Sequence, residues 1–140
     1  MRPAKPLLLV EDNADDAMIL RRALRDARIT EPLVHLPDAE QTLVYLRTAI
    51  NPRPTLILLD LNLPGMSGVE FLRTIKKDAA LSAIPVVVLS TSDERRDILD
   101  SFDLSVAGYI VKPMEYAALV ETVKVIQDYW AINLLPASHR

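Results

Sequence analysis

At 140 residues, half of them hydrophobic and a quarter charged, the chain has the make-up of one globular domain, residues 1–140, with a full core. A formal charge of -3 and a pI near 5.3 give it no general attraction to nucleic acid, and the lack of cysteine excludes disulfides and thiolate metal sites. Its apolar runs of four to six residues are too short for a membrane span, and the start does not read as a signal peptide, so a cytoplasmic location without membrane or nucleic-acid partners is expected.

Leu7 to Val10 reads as a first strand that stops at Glu11 and Asp12. Asn13 is placed to cap a helix with Asp15 and Asp16 in its first turn, where negative charge suits the helix dipole. Ala17, Leu20, Ala23, Leu24 and Ala27 recur at helical spacing and carry it from Ala14 to about Arg28. Leu33 to Leu36 is a weaker strand, and the polar His35 within it suggests a sheet edge and a structural role. Asp38 and Gln41 resemble a capping box for a second helix with Leu43, Leu46 and Ile50 on its inner face, ended by the Asn51 to Pro54 segment.

Leu56 to Leu59 is four aliphatic residues in a row, the pattern of a strand buried on both faces. Asp60 ends it, and Pro64 and Gly65 then turn the chain out of the sheet. A carboxylate there is either a solvated loop acid or one held for chemistry. Ser67 and Glu70 form a second box-like pair ahead of a helix with Val69, Leu72 and Ile75 inside, fading near Asp78. A fourth strand, Ile84 to Leu89, ends on Ser90, and a helix from about Glu94 to Phe102 should turn Ile98, Leu99 and Phe102 inward. Gly108 to Val111 is a short fifth strand ending on Lys112 and Pro113, and Leu119, Val123, Ile126 and Trp130 stripe a last helix from Glu115 to about Trp130.

Strands and helices alternate five times, which predicts an α/β fold with a parallel, doubly wound sheet and helices on both faces. Ligands of such folds bind beyond the carboxyl ends of the strands. Those ends carry Glu11 and Asp12, then Asp60, Ser90 and Lys112, bringing three negative charges against one positive. Two like charges about 4 Å apart repel by about 4 kcal/mol at an effective dielectric near 20, so a divalent cation would stabilise the group. Oxygen ligands without His or Cys suit a hard ion such as Mg2+, and Ser90 and Lys112 supply the hydroxyl and cation that a phosphoryl group needs. Asp60 could then be a nucleophile that forms an aspartyl phosphate.

With these residues in place, the chain resembles the receiver domain of two-component response regulators over about residues 6 to 130. The shared pattern is the acidic pair Glu11 and Asp12, the acceptor Asp60, the hydroxyl of Ser90, and Lys112 with Pro113. The resemblance implies a flavodoxin-like sheet of order 2-1-3-4-5 and phosphoryl transfer from a histidine kinase to Asp60. It also implies Mg2+ held by Asp12, Asp60 and the backbone carbonyl of Asn62, with Glu11 acting through water. Lys112 would bind a phosphate oxygen next to a cis Lys112-Pro113 bond, while Ser90 and Tyr109 would act as a switch. Such a domain is not an enzyme in the ordinary sense, since it catalyses only its own phosphorylation and dephosphorylation. Glu11 stands where many members have Asp, and Ser90 where many have Thr.

About ten residues follow Trp130, which suggests a stand-alone receiver that signals through protein contacts, with 131–140 as a C-terminal arm. Ala118, Val125, Tyr129 and Ile132 form a second apolar face of the last helix, continued by Leu134, Leu135 and Pro136. This face either meets a partner or is covered by the tail folding back. The segment Asp60 to Pro64, the tail and the Trp130 region resemble the regulators paired with phytochromes. That resemblance implies a phytochrome as the kinase and a homodimer through the last helix, the fifth strand and the C-terminal arm, which makes Val125, Tyr129, Trp130, Ile132, Leu134 and Leu135 the candidate dimer or partner surface.

Three other classes fit less well. A phosphatase of the haloacid dehalogenase type wants a second Asp two residues after the nucleophile, where this chain has Asn62. A flavodoxin-like nucleotide binder wants a Gly- or Ser/Thr-rich loop after the first strand, but four acids lie between Glu11 and Asp16. A degenerate receiver used only for docking would lack one of the five site residues, and all five are present.

Overall fold

The computed structural model describes residues 5–91 and 95–133, with side chains up to residue 129. Five strands alternate with five helices: β1 (Leu7–Val10), α1 (Ala14–Asp26), β2 (Leu33–Leu36), α2 (Ala39–Arg47), β3 (Leu56–Leu59), α3 (Gly68–Lys77), β4 (Val86–Ser90), α4 (Arg95–Asp103), β5 (Gly108–Val111) and α5 (Tyr116–Asn133). All neighbouring strands pair in parallel, in the order β2-β1-β3-β4-β5, which is the doubly wound, flavodoxin-like arrangement. Among the described residues, no helix is long and apolar enough to cross a membrane.

The burial of each strand follows its composition. The uninterrupted aliphatic runs β1, β3 and β4 are buried at every residue, whereas β2 and β5 are half-buried edges. Val10 pairs with both Leu36 and Leu59, so the carboxyl ends of three strands lie level and the residues after them emerge together.

The chain divides into two compact units. The larger comprises Met1–Ala17 and Glu31–Lys112, and holds the sheet, α2, α3 and α4. Its core is built from Leu8, Val10, Ile57, Leu59, Val86 and Val88 of the sheet with Phe71, Leu72 and Ile75 of α3. The smaller comprises Met18–Thr30 and Pro113–Arg140, with Leu20, Ala23 and Leu24 of α1 and Leu119, Val123 and Ile126 of α5 buried as their spacing predicted. Inside that unit the Tyr116 hydroxyl donates to Asp26, and Arg22 lies 5.0 Å from the Tyr116 ring centre.

The helix ends are set by specific bonds. Asn13 Oδ1 accepts from the Asp16 amide, Asp38 caps α2 through the Gln41 amide, and Ser67 and Glu70 close a full capping box on α3. α1 ends with Arg28 in the left-handed region (φ 62°), with the Ile29 amide on the Leu24 carbonyl and the Arg28 amide on that of Arg25. α4 ends the same way at Ser105 (φ 61°), with the Val106 and Ser105 amides on Ser101 and Phe102. Both are Schellman ends without the usual glycine.

Four expectations are corrected. α2 stops at Arg47 and leaves Ile50 90% exposed, because the Thr48 hydroxyl and the Asn51 side-chain amide take the Val44 and Tyr45 carbonyls that further turns would use. On α4, Leu99 and Phe102 face outward, and Ile98, Ser101 and Leu104 form the inner stripe, since Leu104 and Val106 fill the space at the core. β4 begins at Val86, after Pro85, although Ile84 is buried. The Lys112-Pro113 bond is trans, the form that X-Pro bonds favour by about 0.5–1 kcal/mol.

Candidate functional site

Asp60 is the first residue beyond β3, and its amide donates to the Val10 carbonyl at 3.0 Å, so the ladder itself fixes its backbone. The carboxylate is buried yet has a partner on each oxygen. Oδ1 accepts from the Asn62 amide at 2.9 Å and from the Ser90 hydroxyl at 3.1 Å, and Oδ2 accepts from Lys112 Nζ at 3.2 Å. Ser90 is fully buried at the end of β4, and its carbonyl takes the Lys112 amide at 2.8 Å, which ties the lysine to the sheet edge as well.

Glu11 is buried at the end of β1, with Oε1 bonded to Lys112 Nζ and Oε2 accepting from the Asn13 amide. Lys112 also lies 3.8 Å from Asp16 of α1, so one ammonium faces three carboxylates. Burial pushes the Glu11 carboxyl above its ordinary value, and the Asp60 charge adds to this, although the Lys112 bond and charge pull the other way. Burial alone would lower Lys112, but the Glu11 bond and the charges of Asp60 and Glu11 outweigh it and hold the ammonium above its usual range. Lys112 therefore stays a cation at neutral pH.

Glu11, Asp12 and Asp60 each offer a carboxylate oxygen, all within 4.8 Å of one another. An ion with oxygens at about 2.1 Å spans about 4.2 Å, so the cluster is already near the scale of one coordination sphere. An all-oxygen set with surplus negative charge fits a hard divalent cation. Asp12 is exposed and free of the packing that holds the other two. Asn62 follows on the loop, with its side-chain amide 3.5 Å from the Thr91 hydroxyl.

Tyr109 lies half-buried on β5, in register with Val88 and packed against the core. On α5, Val125 and Tyr129 are exposed. Trp130 and Ile132 are within the helix, but their side chains lie outside the described residues, as do Leu134 and Leu135 entirely. A cavity of about 280 Å³ lined by Tyr45, Arg53, Leu81 and Ile84, among others, contains none of the candidate residues.

Three contributors were not identified from the sequence. Asp16 reaches Lys112, His35 Nε2 bonds the Glu11 carbonyl at 2.7 Å, and Glu40 accepts the Met66 amide in the loop after Asp60. Asp16 stands three residues after Asn13, a spacing that could have placed it at the mouth of the site.

Comparison with known proteins agrees with this geometry. The Synechocystis response regulator Rcp1 is 38% identical over 141 residues, covering 97% of this chain and 96% of its own. The crystal structure of the phosphorylated cyanobacterial phytochrome response regulator RcpA superposes with a TM-score of 0.85 at 42% identity, covering 92% of this chain and 95% of that one. The Mn2+-bound form of Rcp1 gives 0.81 at 38% identity, covering 90% and 94%. Residues 7–124 match the response regulator receiver domain, so the chain belongs to that family of signalling domains, whose members partner with histidine kinases.

Proposed function

We propose that this protein is a stand-alone, cytoplasmic receiver, one domain over residues 1–140, with a core of about 6–130 and an arm at 131–140, that accepts a phosphoryl group on Asp60 from a histidine kinase. The observation that carries this reading is the Asp60 carboxylate, buried at a strand end with Ser90 on one oxygen and Lys112 on the other. A carboxylate oxygen forms the new O–P bond as the N–P bond of the phosphohistidine breaks. The electron pair stays on the departing imidazole nitrogen, which solvent protonates. Lys112 leaves Asp60 for a phosphoryl oxygen and keeps its Glu11 bond, while Ser90 donates to another. Water attack on phosphorus reverses the modification and releases inorganic phosphate.

Glu11, Asp12, Asp60 and the Asn62 carbonyl are the groups that would hold Mg2+. When bound, the ion neutralises charge on the transferring phosphoryl oxygens. Ser90 and Tyr109 are the proposed switch, and Val125, Tyr129, Trp130, Ile132, Leu134 and Leu135 the proposed homodimer surface. Support for a phytochrome as partner comes from the likeness to RcpA and Rcp1, the latter matched over nearly its whole length.

The test is the intact mass after incubation with acetyl phosphate and Mg2+. Wild type gains one phosphoryl group, and neither Asp60→Asn nor a sample in EDTA does. No gain in the wild type from either acetyl phosphate or a phosphorylated kinase refutes the reading. Sedimentation with and without a phosphate mimic tests the dimer, which a monomer at tens of micromolar in both states would rule out.

A further inference from the structure

The backbone of Glu11 is held to the edge strand β2 on both sides. Its amide donates to the Leu36 carbonyl at 3.1 Å, which extends the β1-β2 ladder by one bond. Its carbonyl lies 2.7 Å from His35 Nε2. A carbonyl oxygen can only accept, so Nε2 carries the proton and the imidazole donates.

The ladder's phase explains why a side chain fills this place. Leu7 bonds to Pro32 O while in register with Leu33, and the same phase assigns the Glu11 carbonyl to an amide two residues beyond Leu36. Pro37 intervenes, and Asp38 is the N-cap of α2. The strand has ended, and His35 replaces the missing backbone donor.

The Glu11 carbonyl belongs to the peptide plane that joins Glu11 to Asp12. Glu11 is buried and bonded, whereas Asp12 is exposed. The direction in which Asp12 leaves the sheet is therefore set by that plane. We propose that His35 is a positioning residue for the divalent-cation site, locking the Glu11-Asp12 peptide so that the Asp12 carboxylate stands ready beside Asp60. This rests on the cation site of the proposed function. Loss of an outer partner of metal ligands typically costs 10–100-fold in affinity, and because His35 acts through backbone, a loss near the lower figure, about 10-fold, is expected.

The experiment titrates the unphosphorylated full chain with Mn2+ alone, comparing wild type with His35→Phe, His35→Gln and Asp12→Asn, and records unfolding of each without the ion. His35→Phe should weaken Mn2+ about 10-fold. His35→Gln, whose amide nitrogen reaches the place of Nε2, should stay within about 3-fold of wild type. If His35→Phe does not fold, His35→Asn, polar but too short to reach the carbonyl, carries the same expectation. A variant that is less stable yet binds Mn2+ as wild type does, or an equal loss in His35→Phe and His35→Gln, overturns the assignment and leaves the cation site standing. Failure of wild type to bind Mn2+, or no effect of Asp12→Asn, overturns the cation site and this inference with it.

Discussion

Gly68 opens α3 directly behind the acceptor, and its amide donates to the Leu61 carbonyl at 3.1 Å. A β-carbon there would meet Leu61 Cα at 2.6 Å, Leu61 Cδ2 at 2.8 Å and the Asp60 carbonyl oxygen at 3.0 Å. Two of these atoms are backbone, so no change of rotamer relieves the clash. Carbon atoms pack comfortably at about 3.5–4.0 Å, so Gly68→Ala must move the chain at Leu61 by about 1 Å. The lower backbone entropy of the unfolded chain offsets at most about 1 kcal/mol, against an overpacking cost of about 1–3 kcal/mol. A net loss of about 1–2 kcal/mol should appear in urea unfolding. The same displacement shifts Asp60 against Ser90 and Lys112, and a misplacement of that size can slow a reaction by up to about 100-fold, so phosphorylation by acetyl phosphate should slow by at least about 10-fold. Gly108→Ala is the control, since its β-carbon would touch only Val87 methyl groups at 3.8 and 3.9 Å. If Gly68→Ala matches wild type in both stability and rate, the close approach at Leu61 does not constrain the site.

Ser101 is fully buried on α4, and its hydroxyl has no hydrogen-bond partner among the described residues. Ser101→Ala should therefore raise stability by about 1 kcal/mol in urea unfolding, through relief of an unsatisfied hydroxyl and better helix propensity. Arg28→Gly and Ser105→Gly should each add about 0.5–1 kcal/mol by relieving a left-handed residue at a helix end, measured in the same way. Because burial holds the Glu11 carboxyl above 4.5, the folded state binds its proton more readily than the unfolded chain. The Glu11 contribution to stability is thus greatest below 4.5 and falls as pH rises through the folded value, a fall that Glu11→Gln should lack when unfolding is followed from pH 4 upward.

The strands and the site were legible for one shared reason. Short aliphatic runs that alternate with helical patterns and stop at polar residues read as strands buried on two faces, and a parallel sheet gathers their ends, so Glu11, Asp12, Asp60, Ser90 and Lys112 converge although they are scattered along the chain. The faces of the shorter helices were harder to read. Ile98, Leu99 and Phe102 suit one rotation of α4, whereas Ile98, Ser101 and Leu104 suit another. The choice was made by Leu104 and Val106 at the core, a tertiary effect. The end of α2 depended on bonds from Thr48 and Asn51 side chains, so Ile50 extended the apolar period without extending the helix. His35 read as an edge-strand residue, which it is, but its bond to Glu11 follows from where the ladder runs out at Pro37, a matter of register between strands.

The ladder also separates the two ends of the sheet. The reactive side chains cluster at the carboxyl ends, while the α2-β3 connection, with Ile50 90% exposed, lies toward the start of β3, where the Thr55 amide bonds to Pro6. A parallel strand rises about 3.3 Å per residue, so four residues of β3 place about 13 Å between that connection and Asp60. A fluorophore or short epitope attached at Ile50 would report on the protein from the opposite end of its own sheet, leaving the chemistry unobstructed.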